Sequence, residues 1–245
     1  MNLTIDIGNT FVKAALFSIN KIIDSQTKPI AELDFFIKKI VKEFSVENII
    51  LSSVINHPQE LDSFLASKYH FILLDHTTRL PFLNEYLSPE TLGKDRIGAV
   101  AGACAEFANQ NVLVIDAGTC IKYDFINSNN EYLGGAISPG IKMRYAALNN
   151  YTQKLPLLEP SSGFLELTGN STIASIHSGV QLGAVAEVNE IINLYTEKHK
   201  NLAVILTGGD MLYLKPVMSG KNNIFADSFL IHKGLNHILK YNVDI

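Results

Sequence analysis

Short apolar blocks with period-two spacing fill the first thirty positions, then give way to helical spacing, and the second half of the chain repeats that order. The pattern predicts strands at about 2–7, 11–18 and 21–27, a helix from Ala31 to Phe44 and a buried strand at Asn48–Ser53. Asn56-His57-Pro58 reads as the start of a helix that ends near Lys68, because proline is tolerated in a first turn. Phe71–Leu74 is a short strand, and after a loop containing Pro and Thr, Asp95–Ala108 is an alanine-rich amphipathic helix.

Strands then recur at about 112–117, 120–127 and 131–138, and a helix opens after Ser138-Pro139-Gly140. From Ser171 to Lys200 the apolar positions Ile173, Ile176, Val180, Ala184, Val188, Ile191 and Tyr195 keep helical spacing. A strand at Ala203–Thr207 is followed by helices near Met211–Met218 and Asp227–Tyr241. Three strands and then alternating helices and strands, twice over, imply two α/β domains with mixed sheets, residues 1–110 and 111–245, with a ligand cleft between them.

Composition narrows the class. At 245 residues and 47% hydrophobic, the chain can bury one large core or two modest ones. A formal charge of −4, with no basic block, argues against a nucleic-acid partner. No stretch approaches the roughly 20 apolar residues of a membrane helix, and Asp6 interrupts the run a secretory signal would need. Cys104 and Cys120 form no CxxC, and the histidines have no HxxxH spacing, so reduced thiols in a cytoplasmic protein without a transition-metal site are expected.

Candidate chemistry sits at strand ends. Asp6-Ile7-Gly8-Asn9-Thr10 and Asp116-Ala117-Gly118-Thr119 each close an apolar run and lead into a second one. An aspartate at a strand end can hold hydrated Mg²⁺, and the glycine brings backbone N–H groups close to phosphate oxygens. An ordinary hairpin would use the same Asp and Asn to cap its turn. Lys13 projects either toward phosphate or into water. Gly93-Lys94-Asp95-Arg96 precedes a helix: Asp95 is either its N-cap or a base beside Arg96, which could grip a carboxylate. Gly134-Gly135-Ala136-Ile137-Ser138-Pro139-Gly140 and Thr207-Gly208-Gly209-Asp210 read either as ligand-facing loops or as tight backbone packing. The chain has no GxxxxGK[ST], GxGxxG or GxSxG motif.

The order DxGNT, GxDR, DxGT, GGxIxPG and TGG resembles the type III pantothenate kinases, within the acetate-kinase, sugar-kinase, Hsp70 and actin superfamily. The resemblance runs from Asp6 to the last helix and implies two actin-like (ribonuclease H-like) domains. It implies ATP-dependent phosphorylation of pantothenate, the first step toward coenzyme A, by a cytoplasmic homodimer. In that reading Asp6, Ile7, Gly8, Asn9, Thr10, Phe11, Val12 and Lys13 hold the ATP phosphates, Asp6 with Mg²⁺. Asp95 is the catalytic base, Tyr86, Gly93, Lys94 and Arg96 line the pantothenate pocket, and Thr119 contacts ATP. Asp116 binds a monovalent cation, K⁺ or NH₄⁺, and Thr172 reaches substrate across the dimer interface. Lys122 departs from the family pattern, where a small polar residue is usual. Two other readings carry different expectations: a kinase of the same superfamily acting on a sugar, and a non-catalytic regulator or filament protein that uses ATP to change shape.

Overall fold

In the computed structural model, which describes residues 1–163, 165–214 and 223–243, two sheets share one strand order. The first sheet holds β1 (Asn2–Ile7), β2 (Phe11–Ser18), β3 (Lys21–Pro29), β4 (Asn48–Ser53) and β5 (His70–Leu73), ordered β3-β2-β1-β4-β5. After β6 (Leu83–Asn84) the second holds β7 (Val112–Ala117), β8 (Cys120–Ile126), β9 (Glu131–Pro139), β10 (Ala203–Thr207) and β11 (Ile224–Ala226). Its order is β9-β8-β7-β10-β11, the same pattern, with β6 added along the first residues of β9. In both sheets the first strand runs antiparallel to the second and parallel to the fourth.

The helices are α1 (Leu33–Glu43), α2 (Gln59–Ala66), α3 (Lys94–Glu106), α4 (Ile141–Asn150), α5 (Thr172–His177), α6 (Gly183–Lys198) and α7 (Leu230–Val243). α1 begins two residues later than expected, because Ile30–Glu32 forms a 3-10 turn behind Pro29. It buries Leu33, Phe36, Ile37, Ile40 and Val41, an i, i+3, i+4 stripe, on Leu3, Ile5 and Ile7 of β1. The expected helix from Ser171 to Lys200 is interrupted by a π-helical turn at Ser178–Leu182. At Met211–Leu214 the chain makes a 3-10 turn, and the rest of the helix expected to Met218 falls outside the described residues.

Two compact units result, joined first at Asn109/Gln110, close to the expected division. The first unit holds Met1–Asn109, Asn129–Leu133 and the described part of Phe229–Ile245; the second holds the described residues of Gln110–Ser128 and Gly134–Ser228. The C-terminal helix α7 therefore belongs to the first unit, not to the second as the sequence division had it. Its reason is the other face of β1. Asn2, Thr4 and Asp6 alternate away from the α1 core yet are buried. The Asn48 amide donates to Asn2 (3.0 Å), the Asn2 amide to Asn236 (2.9 Å) and the Asn236 amide to the Ile19 carbonyl (3.0 Å). Buried polar groups must find such partners, and α7 supplies them. α3, expected to be amphipathic, is instead buried from Arg96 to Cys104, because α7 covers the face that would otherwise meet water.

His232 on α7 completes this layer. The Thr4 hydroxyl donates to the Ala15 carbonyl at 3.2 Å, so the His232 Nδ1–H donates to Thr4 Oγ1 at 2.8 Å. Burial, helped by the nearby Lys13 charge, pushes its pKa down to about 4. A histidine with a lowered folded pKa favours folding above its unfolded value near 6.5; that contribution is lost as pH falls toward about 4. The difference is worth roughly 3 kcal/mol. In urea titrations wild-type stability should fall between pH 6.5 and 4 more steeply than that of His232→Gln; parallel profiles would show that the ring is not buried neutral.

Candidate functional site

Asp6 is the last residue but one of β1 and stands directly opposite Lys13 of β2 and Ser52 of β4. This is the point where one neighbour runs antiparallel and the other parallel, and ligands of α/β sheets bind outside such strand ends. Asp6 is largely buried, and the Ser52 hydroxyl donates to it at a long 3.4 Å. The Gly8 N–H donates to the Phe11 carbonyl at 3.0 Å, closing a turn that leaves Asn9 and Thr10 exposed. A carboxylate near the strand end, two exposed polar side chains and a half-buried lysine border this turn, groups of the kind that can hold phosphate.

The same unit holds the GxDR motif. The sequence left Asp95 as a possible N-cap, but Gly93 occupies that position without a side-chain cap, and Asp95 lies inside the first turn of α3. Asp95 Oδ1 accepts the Arg96 N–H at 2.8 Å, and a Cβ on Gly93 would come within 2.7 Å of that oxygen. Glycine there keeps the carboxylate in place. Arg96 is buried, with its guanidinium 5.4 Å from the Tyr86 ring, which stacks on Tyr132 at 6.1 Å and 17°. An anchored guanidinium on an aromatic face, beside a half-buried carboxylate and Lys94, can bind an anionic substrate and accept a proton from it. Asp95, Arg96, Tyr86, Gly93 and Lys94 are thus brought together.

The second unit repeats the strand-end arrangement. Asp116, the last residue but one of β7, stands opposite Lys122 of β8 and Thr207 of β10, as Asp6 stands opposite Lys13 and Ser52. The Gly118 N–H donates to the Cys120 carbonyl at 3.0 Å, and Thr119 is exposed at the turn. Three glycine motifs meet here. A Cβ on Gly140 would fall 2.2 Å from the Gly118 carbonyl oxygen. Gly208, at φ +93°, passes so close that its Cβ would meet the Ala117 carbonyl at 2.2 Å and Asp116 Oδ1 at 2.5 Å. The Asp210 N–H donates to the same Ala117 carbonyl at 2.9 Å, and burial raises the Asp210 carboxyl pKa despite the opposing charge of Lys142. Gly135 belongs to tight packing, since its Cβ would lie 1.7 Å from the Tyr123 carbonyl oxygen.

Lys122 shows what the sequence left undetermined. Its Nζ lies 2.6 Å from Asp116 Oδ2, with the two side chains only 15% and 10% exposed. The monovalent cation expected at Asp116 therefore meets a carboxylate that already holds an ammonium.

Thr172 opens α5, capped by Ser171, whose Oγ accepts the Ala174 N–H at 3.2 Å. It is exposed and lines an open groove of about 900 Å³ with Arg144, Tyr151, Leu155, Ile176 and Gly179. His177 and Gln181, four residues apart and so on one helix face, both reach the Tyr145 hydroxyl, at 2.7 and 2.8 Å.

Residues 2–194 match the family model for type III pantothenate kinase. The chain belongs to the type III pantothenate kinase family. The type III pantothenate kinase of Christiangramia forsetii is 44% identical over 245 residues, covering 99% of each chain. A solved structure from Campylobacter jejuni, of a protein assigned to the Baf family of transcriptional activators, is 25% identical, with a TM-score of 0.63 over 99% of this chain and 100% of that one. A structure from Sinorhizobium meliloti, assigned as a 2-dehydro-3-deoxygalactonokinase, is 11% identical with a TM-score of 0.59, covering 100% and 98%. That likeness is one of fold alone: two actin-like α/β units with mixed sheets flanked by helices.

Proposed function

We propose that this chain transfers the γ-phosphoryl group of ATP to pantothenate, giving 4′-phosphopantothenate for coenzyme A synthesis. The observation that carries the reading is the Gly93-Lys94-Asp95-Arg96 cluster, intact at the start of α3 in a chain of this family. Arg96, seated on Tyr86, takes the pantothenate carboxylate, and Gly93 and Lys94 complete that wall. Asp95 orients the primary hydroxyl and accepts its proton while the oxygen attacks the γ-phosphorus and ADP leaves. Phosphoryl transfer asks mainly for positioning and charge neutralisation, so no covalent enzyme intermediate is needed.

The segment from Asp6 through Ile7, Gly8, Asn9, Thr10, Phe11 and Val12 to Lys13 holds ATP phosphates, and in the second unit Thr119 has an exposed hydroxyl suited to a nucleotide. Among the described residues no three His, Cys, Asp or Glu side chains gather as a metal cage. A single strand-end acid suits a Mg²⁺ that keeps most of its water and arrives with the nucleotide, where it neutralises phosphate charge. Cys104 and Cys120 are free thiols, which suits a reducing compartment, and the location inferred is the cytoplasm. No described helix is long and apolar enough to cross a membrane. Coupled measurement of ADP formation with and without pantothenate tests the reading. Turnover with sugars but not pantothenate would replace the substrate; no turnover with either would favour the regulator.

We further infer a homodimer. Gly179 and Gly183 have nothing within 4 Å of an added Cβ, so they do not pack on this chain's own sheet, and they lie on the helical path that starts with Thr172. Small residues four apart permit close helix approach, and symmetric pairs are the commonest soluble assembly. With Thr172 completing the partner's pantothenate pocket, Asp95→Asn and Thr172→Arg should each be inactive alone. Mixed and exchanged, they should recover roughly a quarter of wild-type activity, since half the dimers then carry one intact site. Exchanged mixtures that stay inactive would refute the shared site.

A further inference from the structure

The monovalent cation that the family resemblance implies at Asp116 does not fit the residues around it. One carboxylate oxygen, Oδ2, is taken by the Lys122 ammonium at 2.6 Å. The other, Oδ1, faces the backbone of Gly208, which approaches so closely that a Cβ could not be accommodated. Lys122 is no stray surface side chain: it stands directly opposite Asp116 in the β7–β8 ladder, so the pair is held at fixed register on one face of the sheet. It is also the register counterpart of Lys13, which stands opposite Asp6 in the first unit. A second cation at Asp116 would meet a like charge at close range with little water to screen it.

A lysine head group is an ammonium with three N–H donors and one link to carbon. We propose that Lys122 is this chain's built-in monovalent cation at Asp116, so that handling of the ATP phosphates needs no K⁺ or NH₄⁺ from solution. The proposal rests on the kinase reading above. Lys122 is a positioning residue: it balances Asp116 beneath the Gly118–Thr119 turn, and that turn then presents its N–H and hydroxyl groups to phosphate without a net negative charge below them.

The test compares the wild-type protein in chloride salts of tetramethylammonium, Na⁺, K⁺ and NH₄⁺ at one ionic strength, with Mg-ATP and pantothenate. Turnover should differ by less than about twofold among them, because screening is equal and no site ion is exchanged. Lys122→Ser, which removes the ammonium and leaves room beside the carboxylate, should lose at least about tenfold in tetramethylammonium, as expected for lost charge stabilisation. K⁺ or NH₄⁺ should restore most of that loss. Calorimetric titration with Mg-ADP gives a readout free of turnover: K⁺ should tighten binding to Lys122→Ser and leave the wild type unchanged. Wild-type protein stimulated tenfold or more by K⁺ or NH₄⁺ would overturn the proposal, and so would a folded Lys122→Ser indifferent to the cation. If Lys122→Ser fails to fold, the wild-type salt comparison decides alone. Absence of pantothenate-dependent turnover in every salt would refute the kinase reading, and nucleotide binding would still judge Lys122.

Discussion

Asp95→Asn should lower turnover with pantothenate by on the order of 10²–10⁴, the usual loss when a general base is removed. Substrate affinity should change little, because an asparagine keeps the side-chain oxygen that accepts the Arg96 N–H, and Arg96 with Tyr86 stays anchored. The amide can still orient a hydroxyl but cannot take its proton, so the defect belongs in kcat rather than KM. Folding should be undisturbed, since the asparagine oxygen can still accept the Arg96 N–H in the first turn of α3. Steady-state kinetics with calorimetric pantothenate binding make the separation. Near-normal turnover would leave Asp95 as a first-turn acid of α3 with no part in the chemistry.

The strands with clear periodicity were legible because their cores are local: Leu3, Ile5 and Ile7 alternate against a helix that follows soon after. Their polar alternates were not. Asn2 and Thr4 are polar positions with no partner nearby in sequence; the helix that buries them, α7, lies more than 200 residues away and matches them hydrogen bond for hydrogen bond. Nothing in a local pattern announces such a partner, and that is why the sequence pattern groups the C-terminal helix with the second unit. β6 and β11, at two and three residues, were too short to show any period. Of the candidate site, the acids and glycines were legible as motifs. Asp116 and Lys122 were legible as members of one hairpin, but their direct opposition was not, because the second hairpin loop is one residue shorter than the first, and that offset hides the equivalence of Lys122 with Lys13. Only the ladder register exposes it.

The crossing of α3 and α7 supports the sharpest stability prediction. Gly98, Gly102 and Gly234 let the two helices meet backbone to backbone, but they do not contribute equally. A Cβ on Gly234 would lie 1.8 Å from the Gly98 carbonyl oxygen and 2.5 Å from the Gly102 nitrogen, both fixed atoms. On Gly102 it would meet the Leu230 carbonyl oxygen at 2.3 Å; on Gly98 its nearest neighbour is the Ile231 Cγ2 methyl at 3.1 Å, a side-chain end that can yield. Alanine also gains about 1 kcal/mol of helix propensity over glycine at each position, which works against the clash. Gly98→Ala should therefore change stability by about 1 kcal/mol or less, the yielding methyl offsetting the gain. Gly234→Ala has no such escape: the helices must separate, breaking the Asn2–Asn236 and Thr4–His232 contacts as α7 lifts. We expect a loss of roughly 3 kcal/mol or more, a melting point lower by about 6–12 °C for a chain of this size, with Gly102→Ala between the two. Circular-dichroism melts of the three variants give the order directly, and a Gly234→Ala midpoint within about 2 °C of wild type would mean that the helices do not touch at this glycine.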